Sequence, residues 1–126
     1  MDCLEDESVD MVLTSPPYDN LRDYTGYHFS FRTIVNQIFR VLKPGGVCVW
    51  VIGDATVKGS ETGTSFHQAL HFMEKGFLLH DTMIYEKSGI PFPSKTRYNQ
   101  TFEYMFVFSK GKPKTVNLIK DKPNVM

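Results

Sequence analysis

The stretch that most constrains this chain is the apolar run Val9-Asp10-Met11-Val12-Leu13 leading into Thr14-Ser15-Pro16-Pro17-Tyr18. The run reads as a short, largely buried strand. Neither proline has an N–H to donate to a ladder, so two in succession cannot continue a central strand. The chain must leave the sheet at Ser15, in a stiff turn that presents Ser15 and Tyr18 with little freedom. Open α/β sheets bind their ligands at the carboxyl ends of strands, where this turn falls.

Beyond Tyr18 the chain alternates in period. Asp19 to Tyr27 is polar and aromatic without a clean repeat, and reads as a functional loop over the strand end. From Ser30, a plausible N-cap, Phe31, Ile34, Val35, Ile38, Val41 and Leu42 recur at three- and four-residue steps, which predicts a helix. Lys43-Pro44-Gly45-Gly46 should end it with a cation, a breaker and residues able to adopt a left-handed conformation. Val47 to Ile52 is continuously apolar and rich in β-branched residues, as expected of a parallel strand covered on both faces. Strand, helix and strand with a short return form a right-handed βαβ unit. Gly53-Asp54 then opens on the same rim as Ser15. Lys58 to Gly63 is expected as a flexible loop. A second helix capped by Thr64 or Ser65 is expected to bury Phe66, Ala69, Leu70 and Met73 and to stop at Gly76. Strands over 77–87 and 102–108, joined by a long loop without a helix, should pair antiparallel. The tail from Ser109 is rich in Lys and Pro and is expected to be largely irregular.

At 126 residues, with 41% hydrophobic and 22% charged content, the chain suits one folded unit. The longest apolar run is far below the ~20 residues of a bilayer-spanning helix, and no secretory leader is evident. Cys3 and Cys48 suit reduced thiols in a cytoplasmic protein. The zero net charge hides an asymmetry: residues 1–63 carry five Lys/Arg against nine Asp/Glu, and residues 64–126 nine against five. The basic half reads either as a solvated surface with a tail or as a footprint for a polyanion. His67 and His71 share one helix face, but the zinc-hydrolase pattern needs Glu where Gln68 stands. Neither cysteine has a ligand spacing, so no metal is expected.

Ser15-Pro16-Pro17-Tyr18, Leu42-Lys43-Pro44-Gly45-Gly46 and Phe102-Glu103-Tyr104 stand in an order that resembles the permuted (beta-type) S-adenosylmethionine-dependent DNA amino-methyltransferases, over about residues 8–111. In that family the catalytic motif, Asp, Asn or Ser followed by Pro-Pro-Tyr or Pro-Pro-Phe, precedes the cofactor motif. The resemblance implies an α/β fold: a three-layer partial Rossmann-like methyltransferase sheet, two parallel strands plus an antiparallel pair, with helices packed on it. Residues 1–111 would form the catalytic half of the domain and 112–126 a basic tail. The family's glycine-rich cofactor turn has no counterpart in the chain, so the S-adenosylmethionine site should be incomplete here. The first strand should then be an open edge, prone to pair with another copy.

The resemblance implies methyl transfer to an exocyclic base amine of DNA, with cytosine N4 favoured over adenine N6 because Ser stands at position 15. Ser15 Oγ and the Pro16 carbonyl would accept hydrogen bonds from the amine, the prolines would fix their geometry, and Tyr18 would stack on the extruded base. Asp54 could touch cofactor or substrate, or simply cap the following segment. Arg22, Tyr24, Lys95, Arg97 and Asn99 could contact DNA, or solvate and pack their loops. RNA or a protein amide remains an alternative acceptor, and a non-catalytic nucleic-acid-binding or self-associating module an alternative class.

Overall fold

A computed structural model describes residues 3–16, 31–54, 56–87 and 101–114. The described residues form eight elements in chain order: β1 (Val9–Thr14), α1 (Phe31–Val41), β2 (Leu42–Ile52), β3 (Thr56–Val57), β4 (Ser60–Glu61), α2 (Thr64–Lys75), β5 (Leu78–Glu86) and β6 (Phe102–Ser109). Four strands form one mixed sheet in the order β1-β2-β6-β5. β1 and β2 are parallel, and β6 lies antiparallel between β2 and β5. The expected parallel pair and antiparallel pair are thus joined through β6, the last of the described strands.

The core lies where both helices meet one face of this sheet. Val35 and Ile38 of α1 and Ala69 and Phe72 of α2 converge on Cys48, Trp50, Ile52, Phe106 and Phe108. Phe72 stacks on Phe108 with centroids 4.3 Å apart and meets Trp50 edge-on at 5.0 Å, geometries that favour aromatic pairs. The indole N–H of Trp50 donates to Gln68 Oε1 at 2.9 Å, which satisfies two buried polar groups at once. Residues one step away along the strands point to the opposite face, where Met11, Leu13, Met83 and Tyr85 are half exposed or more. The described helices therefore supply one covering layer, so the described residues form two of the three expected layers.

Three local features differ from expectation. Lys43 to Gly46 belong to β2, which begins directly after α1 instead of at Val47. Val9 pairs with Leu42 and Met11 with Val47, so two steps on β1 match five on β2. This bulge is held by the chain beyond β6: Gly45 N–H donates to Lys110 O at 2.6 Å and Lys110 N–H to Gly46 O at 3.0 Å. Gly45 sits at φ 85, where a Cβ would also collide with Lys114 Cγ. The stretch 56–61 is a small hairpin, β3 paired with β4, turned at Lys58 and Gly59, both of positive φ. That handedness matches the twist of the flanking strands.

The third difference is in α2. Its buried residues are Ser65, Gln68, Ala69 and Phe72, whereas Phe66, Leu70 and Met73 face outward. The N-cap residue is Gly63 rather than Thr64 or Ser65, and it offers no side-chain cap. The helix is rotated by about one residue from the expected face because Ser65 and Gln68 have hydrogen-bond partners on the sheet side, half-buried Asp54 and buried Trp50. α1 matches expectation, with Val35, Ile38 and Val41 buried. Its carboxyl end is closed by Lys110, whose Nζ donates to the carbonyls of Phe39 and Leu42 at 2.7 and 2.9 Å and lies 4.6 Å over the Phe39 ring. A cation on orphan carbonyls at a helix end is favoured by both hydrogen bonding and the helix dipole. No described helix is long and apolar enough to cross a membrane.

Candidate active site

Parallel pairing brings the carboxyl ends of β1 and β2 to one rim of the sheet, so Ser15-Pro16 and Gly53-Asp54 open side by side. Because β6 runs the other way, its amino end brings Phe102 and Glu103 to that rim, and the exit of β5 adds Lys87. Ser15 is exposed and Pro16 is buried. The proline thus anchors the strand exit while the hydroxyl-bearing residue faces outward. No described residue hydrogen-bonds the Ser15 hydroxyl. Pro17, Tyr18, Arg22, Tyr24, Lys95, Arg97 and Asn99 lie outside the described residues. Lys87 and Thr101, both described, are joined on this rim, where Lys87 N–H donates to Thr101 O at 2.6 Å.

Asp54 is engaged with α2. Its Oδ1 accepts the Ser65 backbone N–H and its Oδ2 the Ser65 hydroxyl, both at 2.7 Å. A carboxylate at a helix amino end satisfies an orphan donor and meets the positive end of the dipole. The end of β2 is thereby fastened to the start of α2.

Glu103 is a rim residue that the sequence reading did not single out. It is buried, with Oε1 3.5 Å from Lys87 Nζ. Gly53 lies beside it, where an added Cβ would stand 3.5 Å from Glu103 Cγ. The available signal was one acidic residue inside the otherwise apolar or aromatic run 102–108, since a buried charge needs a partner or a task.

Other groups contribute little to such a site. Burial pushes the Cys48 thiol up to about 12, which keeps it protonated and unreactive. The His71 ring tilts against Phe31 at 5.2 Å, His67 is exposed, and the described residues contain no metal-binding cluster. Gly45 and Gly46 sit at the far end of β2 and are closed over by Lys114, Leu42 and Lys43 of this chain.

A βαβ unit with Ser-Pro-Pro at its first strand exit, extended by an antiparallel pair in the order β1-β2-β6-β5, defines part of a Rossmann-like methyltransferase sheet. The chain belongs to the N6/N4 DNA methylase family, whose model matches residues 9–125. It is 63% identical over 119 residues to the orphan methyltransferase M.BamHII of Bacillus amyloliquefaciens, which covers 94% of this chain and 45% of that protein. The type II methyltransferase M.MwoI of Methanothermobacter wolfeii is 35% identical over 126 residues, covering 86% of this chain and 19% of that one. Among solved structures, the cytosine-N4-specific PvuII DNA methyltransferase superposes with a TM-score of 0.69 at 23% identity, over 90% of this chain and 46% of that one. M1.HpyAVI in its SAM complex superposes with a TM-score of 0.64 at 21% identity, over 94% and 53%. The chain spans about half the length of these structures, and less than half of the two curated relatives.

Proposed function

We propose that this chain is the target-amine half of a DNA methyltransferase that uses S-adenosylmethionine, with cytosine N4 as the favoured acceptor and adenine N6 the alternative. The observation that carries the reading is Ser15-Pro16 at the carboxyl end of β1, on the rim shared with Asp54 and Glu103. The amine of a base is a poor nucleophile because its lone pair is delocalised into the ring. Ser15 Oγ and the Pro16 carbonyl accept hydrogen bonds from its two hydrogens, which favours a pyramidal nitrogen with a directed lone pair. Pro16 and Pro17 hold this geometry, and positioning of this kind is worth up to roughly 7–11 kcal/mol in intramolecular models. Tyr18 stacks on the base, which must leave the duplex to be reached.

S-adenosylmethionine supplies the methyl group. The described residues do not build its floor, so that part of the site comes from polypeptide outside them. Asp54 serves here as the clamp between β2 and α2. Arg22, Tyr24, Lys95, Arg97 and Asn99 contact the DNA; Lys95, Arg97 and Asn99 belong to the basic half, residues 64–126. The place of action is the cytoplasm.

The test uses the full-length gene product with labelled cofactor and DNA, followed by mass spectrometry of the released nucleosides. Label on DNA that falls at least ~100-fold in Tyr18→Ala and Ser15→Ala supports the reading, a loss in the range of misplaced catalytic groups. Label transfer unaffected by Tyr18→Ala sinks the assigned site. N4-methylcytosine or N6-methyladenine in the digest decides the base.

A further inference from the structure

The surface least accounted for by this reading is the outward row of α2. Phe66, Leu70 and Met73 are 52%, 58% and 45% exposed and stand at i, i+4 and i+7, on a single stripe of the helix. The stripe continues onto the sheet. The Phe66 ring lies 5.5 Å from Tyr104, whose cross-strand neighbour Ile84 is 53% exposed. Scattered exposed apolar side chains are ordinary, whereas a contiguous row of them marks an interaction surface.

We propose that two copies of this chain associate through this row, with α2 packed antiparallel to its twin about a twofold axis between Leu70 and His71. The polar flank of the row identifies the occupant. His67 and Glu74 are seven residues apart and therefore lie along the same side of the stripe. In an antiparallel pair, like flanks face each other. Symmetry about Leu70 and His71 sets Glu74 against His67 of the partner subunit, and His67 against the partner's Glu74. The surface is thus complementary to itself, as an isologous interface requires. The flank itself borders a cavity of about 300 Å³, which His67 and Glu74 line together with Phe31, Arg32, Leu70 and His71 and which leaves room for the opposing side chains.

The β1 edge is a different surface. It lies at the opposite side of the sheet from β5, and its exposed Met11 and Leu13 point to the face without described helices. The association through α2 leaves that edge open for further strands and does not depend on methyl transfer.

Sedimentation velocity on the 126-residue chain over a concentration series tests the proposal, with far-UV circular dichroism as the folding control. The expected result is a reversible dimer whose Kd rises ~10-fold or more in Leu70→Glu, the scale of truncating an interface anchor. His67→Glu weakens the dimer, and His67→Glu combined with Glu74→Lys restores it. A monomer at all concentrations overturns the proposal. So does a dimer that survives Leu70→Glu and is lost in Leu13→Lys, which assigns association to the β1 edge. Failure of the double variant to recover what His67→Glu loses overturns the antiparallel arrangement.

Discussion

Asp54 and Ser65 are joined twice, the carboxylate accepting both the backbone N–H and the hydroxyl of Ser65 at 2.7 Å. The link spans eleven residues of sequence and fixes where α2 starts relative to the rim at which β2 ends. Gly63, at φ 70, has no side chain to provide the cap itself.

Replacing Asp54 by Ala should therefore cost about 1–2 kcal/mol, the upper part of the range for a lost N-cap. Asp54→Asn, which keeps one acceptor for the backbone N–H, should cost less. The shift in urea midpoint at unchanged slope measures both. Equal stability of the Ala variant and the parent would refute the clamp.

Lys110 closes α1 by donating to the carbonyls of Phe39 and Leu42 from a largely buried side chain. Lys110→Met keeps much of the apolar stem and removes these charged donors. A loss of about 1–3 kcal/mol is expected, as for hydrogen bonds to charged groups. Hydrogen exchange should accelerate in the last turn of α1 before it does elsewhere.

The orientation of α2 can be read from a pair of substitutions. Phe72→Ala empties a fully buried site between Phe108 and Trp50 and should cost about 3–5 kcal/mol. Leu70→Ala, on the exposed row, should stay within about 0.5 kcal/mol in the monomer. Measurement below the dimer Kd keeps association out of the comparison. Reversal of this order would place the other face against the core.

The two cysteines should separate cleanly in their chemistry. Cys3 is exposed and should react with a thiol reagent in the native protein, while Cys48 should react only on unfolding. The Cys48 thiol is pushed up from 9.0 to about 12 by burial. Between these values the unfolded chain has released a proton that the folded chain retains. The stability contributed by the neutral thiol is thus fully present below pH 9 and declines as pH rises toward 12. Cys48→Ala should flatten that alkaline decline, as read by denaturant titration at about pH 7 and about pH 10.

The order of elements was legible from local chemistry. Pro16-Pro17 ends β1 because neither residue can donate to the ladder, and the row Val35, Ile38, Val41 is the buried face of α1 as its spacing predicts. The antiparallel pairing of β5 and β6 was legible because the proline-rich sequence between them carries no helical periodicity. Lys43 to Gly46 misled, since a breaker-rich stretch after a helix reads as a turn. Its actual role in β2 depends on Lys110, more than sixty residues away. Of the candidate site, the strand exits and their shared rim were evident in the sequence, while Glu103 did not stand apart from its motif.

What the sequence by itself determined is the succession of strands and helices, the stiff exit at Ser15 and the family to which those residues belong, because each rests on covalent geometry or short-range periodicity. Only the tertiary structure decided which face of α2 is inside. Two rows one residue apart, Ser65-Gln68-Ala69-Phe72 and Phe66-Ala69-Leu70-Met73, both have helical spacing, and the second is the more apolar. The first wins because Asp54 and Trp50 supply partners for Ser65 and Gln68, and Phe108 supplies a stacking surface for Phe72. Burial of a polar side chain costs little once its hydrogen bonds are made, and those partners come from outside the helix: Trp50 on β2, Asp54 just beyond its end, and Phe108 on β6.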